Sequence, residues 1–270
     1  MQYKTACCPQ LFLAPRPILL LYRLSPSPCA LNTLTSCPPP RRTNFVIEPT
    51  AYKDFKVSRG FTYRYYLAAP RDTDKPFILL CHGFPSTSYD WHRQVVFFSE
   101  EGYGLIVPDM LGYGGSDKPT TTESYKMNAM AQDLIDILEH ESARDVIAVG
   151  HDWGSVVVSR LAYLYQERFL AFGFLAVTYM PPDPTFSYKK VSEELEKTFG
   201  YNLFGYWEFF SSNGAPKIIE EHFDSFYSIA FPHDPTLWKD RLAPTGQVNK
   251  WLTSNRIEKR LAYITEEVRC

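Results

Sequence analysis

Short apolar runs separated by amphipathic stretches recur from about residue 44 to residue 178. A strand covered on both faces is a continuous apolar run, and four runs fit that description: PFILLC (76–81), GLIVPDM (104–110), DVIAVG (145–150) and FGFLAVT (172–178). Upstream, FKVSRGFTYRYYLAA indicates two more β runs around Gly60. Helices are predicted near 89–100, over 125–139 from the 3.6-residue spacing of its apolar positions, and over 154–167.

This alternation of strands and helices predicts an α/β fold with a doubly wound, mostly parallel sheet. After YMPPDP (179–184) the alternation stops, and the remaining sequence is aromatic and helical in pattern. We interpret that part as an inserted helical cap. The predicted organisation is therefore an N-terminal extension (1–43), a core (44–182) and a cap (183–270).

The extension has a composition of its own, since residues 1–43 are rich in proline, carry several Lys and Arg residues and contain no acidic residue. The prolines predict a disordered or non-native extension. The basic, acid-free bias would also suit a transit peptide, whereas the short PILLLY run suits a secretory signal poorly. The expected location is cytoplasmic, or mitochondrial if the extension is a transit peptide.

The overall composition narrows the classes of partner. With 45% hydrophobic residues, 21% charged residues and a net charge of −2, the chain lacks the basic excess that nucleic-acid binding requires. It contains no run of about 18 apolar residues, so no membrane span is expected. The six cysteines suggest no framework of disulfides or metal ligands. The oligomeric state is not determined by the sequence.

Candidate chemistry begins at GHDWG, residues 150–154, where a predicted strand meets a predicted helix. This has the form G-x-nucleophile-x-G, in which small flanking residues allow a sharp turn that exposes the central side chain. Asp152 occupies the nucleophile position. The alternative interpretation is that Asp152 is simply the N-cap of the following helix.

Two other motifs help to decide whether Asp152 is a nucleophile or an N-cap. HGFP (82–85) directly follows a buried strand, and PDMLGYGGSDKP (108–119) is a glycine-rich loop. With GHDWG, in this order and spacing, they resemble the α/β-hydrolase superfamily and specifically its epoxide hydrolase family. The resemblance implies that the backbone N–H groups of Phe84 and Trp153 form an oxyanion hole.

An Asp nucleophile also fits that chemistry, because its attack on an sp3 carbon gives an alkyl-enzyme ester. The expected substrate is a small apolar epoxide, opened to a diol. No cofactor or metal is expected, because the epoxide supplies its own leaving group. Ring opening needs an acid, and the family's cap tyrosine matches Tyr201 in TFGYNLFGYWEFF (198–210). His82, Tyr206 and Trp207 are predicted to line the substrate pocket.

Hydrolysis of the ester then needs a general base, normally a histidine oriented by a carboxylate. In the family both follow the cap, and the sequence up to Cys270 shows neither in that place. We therefore expect a C-terminally truncated member whose last strands are missing and whose catalysis is impaired. Two alternatives stay open: a haloalkane dehalogenase, and a catalytically silent fold that binds apolar ligands in its aromatic cap.

Overall fold

The computed structural model describes residues 51–261. It divides into two compact units at Pro181 and Pro182, and each unit is described by itself. The predicted extension at residues 1–43 lies outside the described residues, so its disorder or targeting role stays a prediction.

The first unit is built on a six-stranded sheet. Its strands are β1 (Tyr52–Lys56), β2 (Thr62–Ala68), β3 (Phe77–Cys81), β4 (Gly104–Pro108), β5 (Val146–His151) and β6 (Phe169–Leu175). They lie in the order β1-β2-β4-β3-β5-β6. β1 and β2 pair antiparallel, as do β2 and β4, and the other three pairings are parallel. The prediction of a mostly parallel sheet is confirmed.

Three helices cover the sheet: α1 (His92–Glu100), α2 (Met127–His140) and α3 (Trp153–Leu164). Side chains of a strand point alternately to opposite faces, so neighbouring positions belong to different cores. Leu79 packs in the cluster that contains α2 and α3 residues, whereas Leu80 packs in the cluster that contains Val95 of α1. The sheet is therefore covered on both faces, as a doubly wound fold requires.

Two predicted boundaries differ from the observed ones. The last strand was expected at 172–178 but is Phe169–Leu175, and the preceding helix ends at Leu164 rather than near 167. A short 3-10 turn, Gln166–Arg168, leads directly into the strand. At the other end Ala176 has φ 65°, outside the extended region, so the strand cannot continue through the apolar residues that follow.

A buried ion pair joins the β1–β2 connection to α2. Asp133 is fully buried, and it accepts hydrogen bonds from Arg59 Nε at 2.7 Å and from the Tyr63 hydroxyl at 2.8 Å. Hydrogen bonding to Asp133 raises the pKa of Arg59. Burial, reinforced by the Asp133 charge, raises the pKa of Tyr63 well above its ordinary value. The aspartate is thus satisfied on both oxygens despite its burial.

The second unit is helical in its described part. Its helices are α4 (Tyr188–Phe199), α5 (Tyr206–Phe210), α6 (Ala215–Glu221), α7 (Phe223–Ala230) and α8 (Gln247–Thr253), with a π-helical turn at Trp238–Leu242. Its interior includes Ile229, Trp251 and Leu252, and the Trp251 indole N–H donates to the Ser225 carbonyl at 3.1 Å. Across the described residues of both units, no helix combines the length and apolar character needed to cross a membrane.

Candidate active site

The turn between β5 and α3 carries Asp152. Its backbone has φ 53° and ψ −123°, a conformation that L-residues rarely adopt. The flanking glycines are required by close contacts: a Cβ on Gly150 would lie 2.5 Å from the Gly154 carbonyl group, and one on Gly154 would lie 2.2 Å from the Cys81 carbonyl oxygen. The predicted G-x-D-x-G turn therefore forms, with the aspartate at its tip.

The Asp152 carboxylate does not cap α3. Its backbone carbonyl accepts from the Ser155 N–H at 2.9 Å, but its side chain makes no capping hydrogen bond. Instead Oδ1 accepts from the backbone N–H of Phe84 at 2.9 Å, 68 residues away in the sequence. Asp152 therefore occupies the N-cap position of α3, but its side chain does not serve as the cap.

The segment 82–88, here called the oxyanion turn after the role predicted for it, meets this carboxylate through two residues. Gly83 approaches so closely that an added Cβ would lie 2.4 Å from Asp152 Oδ1. Phe84 then presents its N–H to the same oxygen. Trp153 begins α3, so its amide lies at the positive end of the helix dipole, which favours negative charge at this position. That the Trp153 amide serves as second oxyanion donor stays a prediction.

His82 lies beneath the turn with only 2% of its surface exposed. The Met110 N–H donates to Nε2 at 2.9 Å, so Nε2 is the acceptor nitrogen and Nδ1 carries the hydrogen, which it donates to the Gly83 carbonyl at 2.8 Å. Burial lowers the pKa of His82, which favours this neutral form. Both hydrogen bonds of the His82 ring are made to the backbone of the turn and of the neighbouring loop. The predicted contact of His82 with substrate stays a prediction.

Asp109 organises the glycine-rich loop next to the turn. It is 5% exposed, and its two carboxylate oxygens accept from the N–H groups of Ser88 at 2.9 Å and Gly115 at 2.8 Å. The Ser116 hydroxyl donates to the Asp109 carbonyl at 2.6 Å. Sequence reasoning recognised this loop by its motif but assigned no role to Asp109.

Tyr113, on the same loop, was also missed. Its ring packs edge-on against His82, with centroids 5.0 Å apart. Burial, and then the negative charge of Asp152, raises the pKa of Tyr113 to about 12. The Tyr113 phenol therefore stays protonated at neutral pH, and it lies close enough to Asp152, the candidate nucleophile, to be affected by its charge. The only signal in the sequence is its position in the GYG part of the loop motif.

The remaining predicted site residues belong to the second unit. Tyr201 follows Gly200, which ends α4 in the left-handed conformation at φ 82°. It lines a groove of about 400 Å³ within that unit, together with Tyr188 and Asn202 among others. Tyr206 and Trp207 begin α5, with their rings edge-on at 6.3 Å. The predicted partnership of these residues with Asp152 across the two units stays a prediction.

Neither unit offers a metal site among residues 51–261, where no group of three or more His, Cys, Asp or Glu side chains is placed to hold an ion.

The fold and the turn that carries Asp152 together define a hydrolase class. A family model described as the alpha/beta hydrolase fold matches residues 76–241, more than half of the 270-residue chain. The chain belongs to the α/β-hydrolase fold family.

Within this family the chain is similar to epoxide hydrolases. Epoxide hydrolase A of Mycobacterium tuberculosis is 38% identical over 106 residues, which are 39% of this chain and 33% of that protein. Bifunctional epoxide hydrolase 2 of Sus scrofa is 29% identical over 185 residues, 68% of this chain and 30% of that protein. The chain thus matches about a third of the length of these curated relatives.

A solved structure extends the likeness to the fold. The crystal structure of epoxide hydrolase A from Mycobacterium thermoresistibile matches with a TM-score of 0.64 and 26% identity, over 80% of this chain and 67% of that one. The predicted assignment to the α/β-hydrolases is confirmed, and within them the chain is similar to epoxide hydrolases.

Proposed function

We propose that this chain opens an epoxide through a covalent ester on Asp152 and that the product of the complete reaction is a diol. The free carboxylate oxygen of Asp152 attacks one ring carbon, the bond from that carbon to the ring oxygen breaks, and the ring oxygen leaves as an alkoxide. A proton donor converts the alkoxide to a hydroxyl group. The substrate carbon is then held as an alkyl ester.

The observation that carries this proposal is the hydrogen bond from the Phe84 N–H to Asp152 Oδ1. It holds one carboxylate oxygen and leaves the other for attack. The same donor supports the second step, because the oxygen it holds becomes the carbonyl oxygen of the ester. Attack of water on that carbonyl places negative charge on this oxygen, where a preorganised N–H stabilises it.

Tyr201 is our candidate for the ring-opening acid. The hydroxyl of a tyrosine can donate a proton to a developing alkoxide. Tyr206 is the substitute, since it belongs to the same aromatic segment. Trp207 and Tyr206 are proposed to form part of an apolar wall for the substrate, which we expect to be small and apolar.

The second step needs a general base to activate water, and we assign none of the described residues to that role. His82 is unsuited to it, because its Nε2 already accepts from Met110 and its Nδ1–H is donated to Gly83. Whether the ester accumulates or turns over is therefore the informative measurement.

The experiment is incubation of the purified protein with styrene oxide, followed by intact-mass analysis and by assay for the diol. We expect an adduct of one substrate mass that maps to the peptide containing Asp152. If a residue of the chain acts as the general base, we expect steady formation of the diol instead. The matched variant is Asp152→Asn, because Asn has nearly the size and shape of Asp and its amide oxygen can still accept from the Phe84 N–H.

Asp152→Asn should form neither adduct nor diol while retaining the melting temperature of the parent. Absence of adduct and diol in the parent protein would contradict the proposal. Release of chloride from a chloroalkane without reaction of the epoxide would instead support the dehalogenase alternative. Adduct formation that persists in Asp152→Asn would show that another residue is the nucleophile.

A further inference from the structure

The glycine-rich loop holds the oxyanion turn at both of its ends. At the start of the turn, His82 Nε2 accepts from the Met110 N–H at 2.9 Å. At its end, the Ser88 N–H donates to Asp109 Oδ1 at 2.9 Å. Phe84, whose N–H reaches Asp152, lies between these two attachments. The position of that donor is therefore set by contacts with a loop more than twenty residues further along the chain.

The attachment at His82 depends on the chemistry of an imidazole. One side chain accepts from Met110 through Nε2 and donates to the Gly83 carbonyl through Nδ1, so it joins the loop to the residue directly before Phe84. With 2% of its surface exposed, His82 has little access to water as a replacement partner. Loss of the imidazole would leave the buried Met110 N–H without an acceptor, which is unfavourable because the donor has given up its hydrogen bond to water without a replacement.

The other attachment is also buried and satisfied. The second oxygen of Asp109 accepts from Gly115 within the loop, and the Ser116 hydroxyl donates to the Asp109 carbonyl. Hydrogen bonds within the loop therefore stabilise its conformation independently of its contacts with the turn. The ring of Tyr113 packs edge-on against the ring of His82.

We propose that His82 is a positioning residue, which holds the Phe84 N–H at the Asp152 carboxylate by joining the oxyanion turn to the loop at Met110. This inference rests on the proposed function, because it concerns the step in which Asp152 is alkylated. His82 itself does not touch the reacting atoms. It acts through the peptide group that it fixes.

The test compares three variants. His82→Gln keeps a side-chain acceptor long enough to reach the Met110 N–H, whereas His82→Asn is too short to reach it but can still contact Gly83. The control is His92→Gln, since His92 also bonds through Nδ1 to a nearby carbonyl, that of Tyr89, but joins no distant segment to the turn.

The first measurement is the rate of adduct formation with styrene oxide in a single turnover at several substrate concentrations. We expect His82→Asn to lower the maximal rate about 10- to 100-fold with little change in the half-saturating concentration, because the turn would no longer hold the attacking carboxylate in position and misplacing a reacting group has effects of this size. His82→Gln should recover to within about threefold of the parent, and His92→Gln should match it.

The second measurement is amide hydrogen exchange in the peptides that cover residues 82–88 and 109–116. His82→Asn should exchange faster than the parent in both peptides, and His82→Gln should not. If His82→Asn retains both the parent rate and the parent protection, or if His82→Gln is impaired as strongly as His82→Asn, the proposal is wrong.

The two measurements also separate this inference from the proposed function. If the parent protein forms no adduct, the proposed function fails, and hydrogen exchange alone then decides whether His82 holds the turn. If the parent forms the adduct and His82→Asn matches it in both rate and hydrogen exchange, the proposed function stands and the positioning role fails.

Discussion

Replacing Gly83 by alanine is a direct perturbation of the candidate active site. The new Cβ would lie 2.4 Å from Asp152 Oδ1 and 2.5 Å from Asp152 Cβ. Non-bonded heavy atoms prefer separations of about 3.5–4.0 Å, so the carboxylate and the turn must move apart by about 1 Å. Gly83 does not have a positive φ, so an alanine there does not meet the strain of a left-handed conformation. The effect would therefore be steric and local.

Two magnitudes follow from that displacement. Overpacking of this kind destabilises proteins by typically about 1–3 kcal/mol. A misplacement of about 1 Å at a reacting group can reduce the rate about 100-fold, which corresponds to about 2.7 kcal/mol in the activation free energy. We therefore expect Gly83→Ala to slow alkylation of Asp152 about 100-fold and to lower the free energy of unfolding by no more than about 3 kcal/mol.

The assay is the single-turnover rate of adduct formation with styrene oxide, measured beside urea unfolding of the same preparations. Gly214→Ala is the matched control, because Gly214 also lacks a positive φ and a Cβ there would meet only Ile218 Cδ1, at 3.8 Å. A folded Gly83→Ala protein that alkylates at the parent rate would refute the argument that close approach of Gly83 sets the position of the carboxylate.

Three further predictions concern buried groups. Asp133→Asn should lower the free energy of unfolding by about 1–3 kcal/mol in urea, because it weakens the buried hydrogen bonds to Arg59 and Tyr63 and removes the charge that pairs with the partly exposed Arg59. Lys189→Ala, at an exposed ion pair, should change it by less than about 1 kcal/mol. The Cys81 thiol, whose pKa burial raises to about 12, should resist iodoacetamide at pH 8 in the native protein and react once urea unfolds it. The lowered pKa of His82 means that the unfolded state binds a proton first, so stability should fall as pH drops from about 6.5 to that lowered pKa, and this decline should be smaller in a folded His82→Gln protein.

Much of the fold could be predicted from local patterns in the sequence. In α2 the 3.6-residue spacing of apolar residues placed the helix within two residues of its observed ends. The same spacing could not foresee Asp133, which lies on the buried side of α2 because Arg59 and Tyr63 meet it there. A buried charge depends on partners that are distant in sequence, and periodicity contains no information about them.

The boundaries of β6 show a similar limit. The apolar run FGFLAVT is hydrophobic throughout, so the pattern alone favoured the later register. The strand begins earlier, at Phe169, and ends where Ala176 adopts a positive φ. Pairing with β5 determines that register, since Gly150 lies opposite Phe174 and His151 opposite Leu175.

The sequence by itself determined the alternation of strands and helices and the sharp turn at GHDWG, because spacing and steric need are local properties of the chain. Only the tertiary structure decided what the Asp152 carboxylate contacts, since its partner Phe84 lies 68 residues away. The same holds for the contacts of His82 with Met110 and with Tyr113, which join residues brought together by the packing of β3, β4 and β5. Long-range contacts of this kind leave no periodic trace in the sequence, so their chemistry becomes visible only when the sheet is assembled.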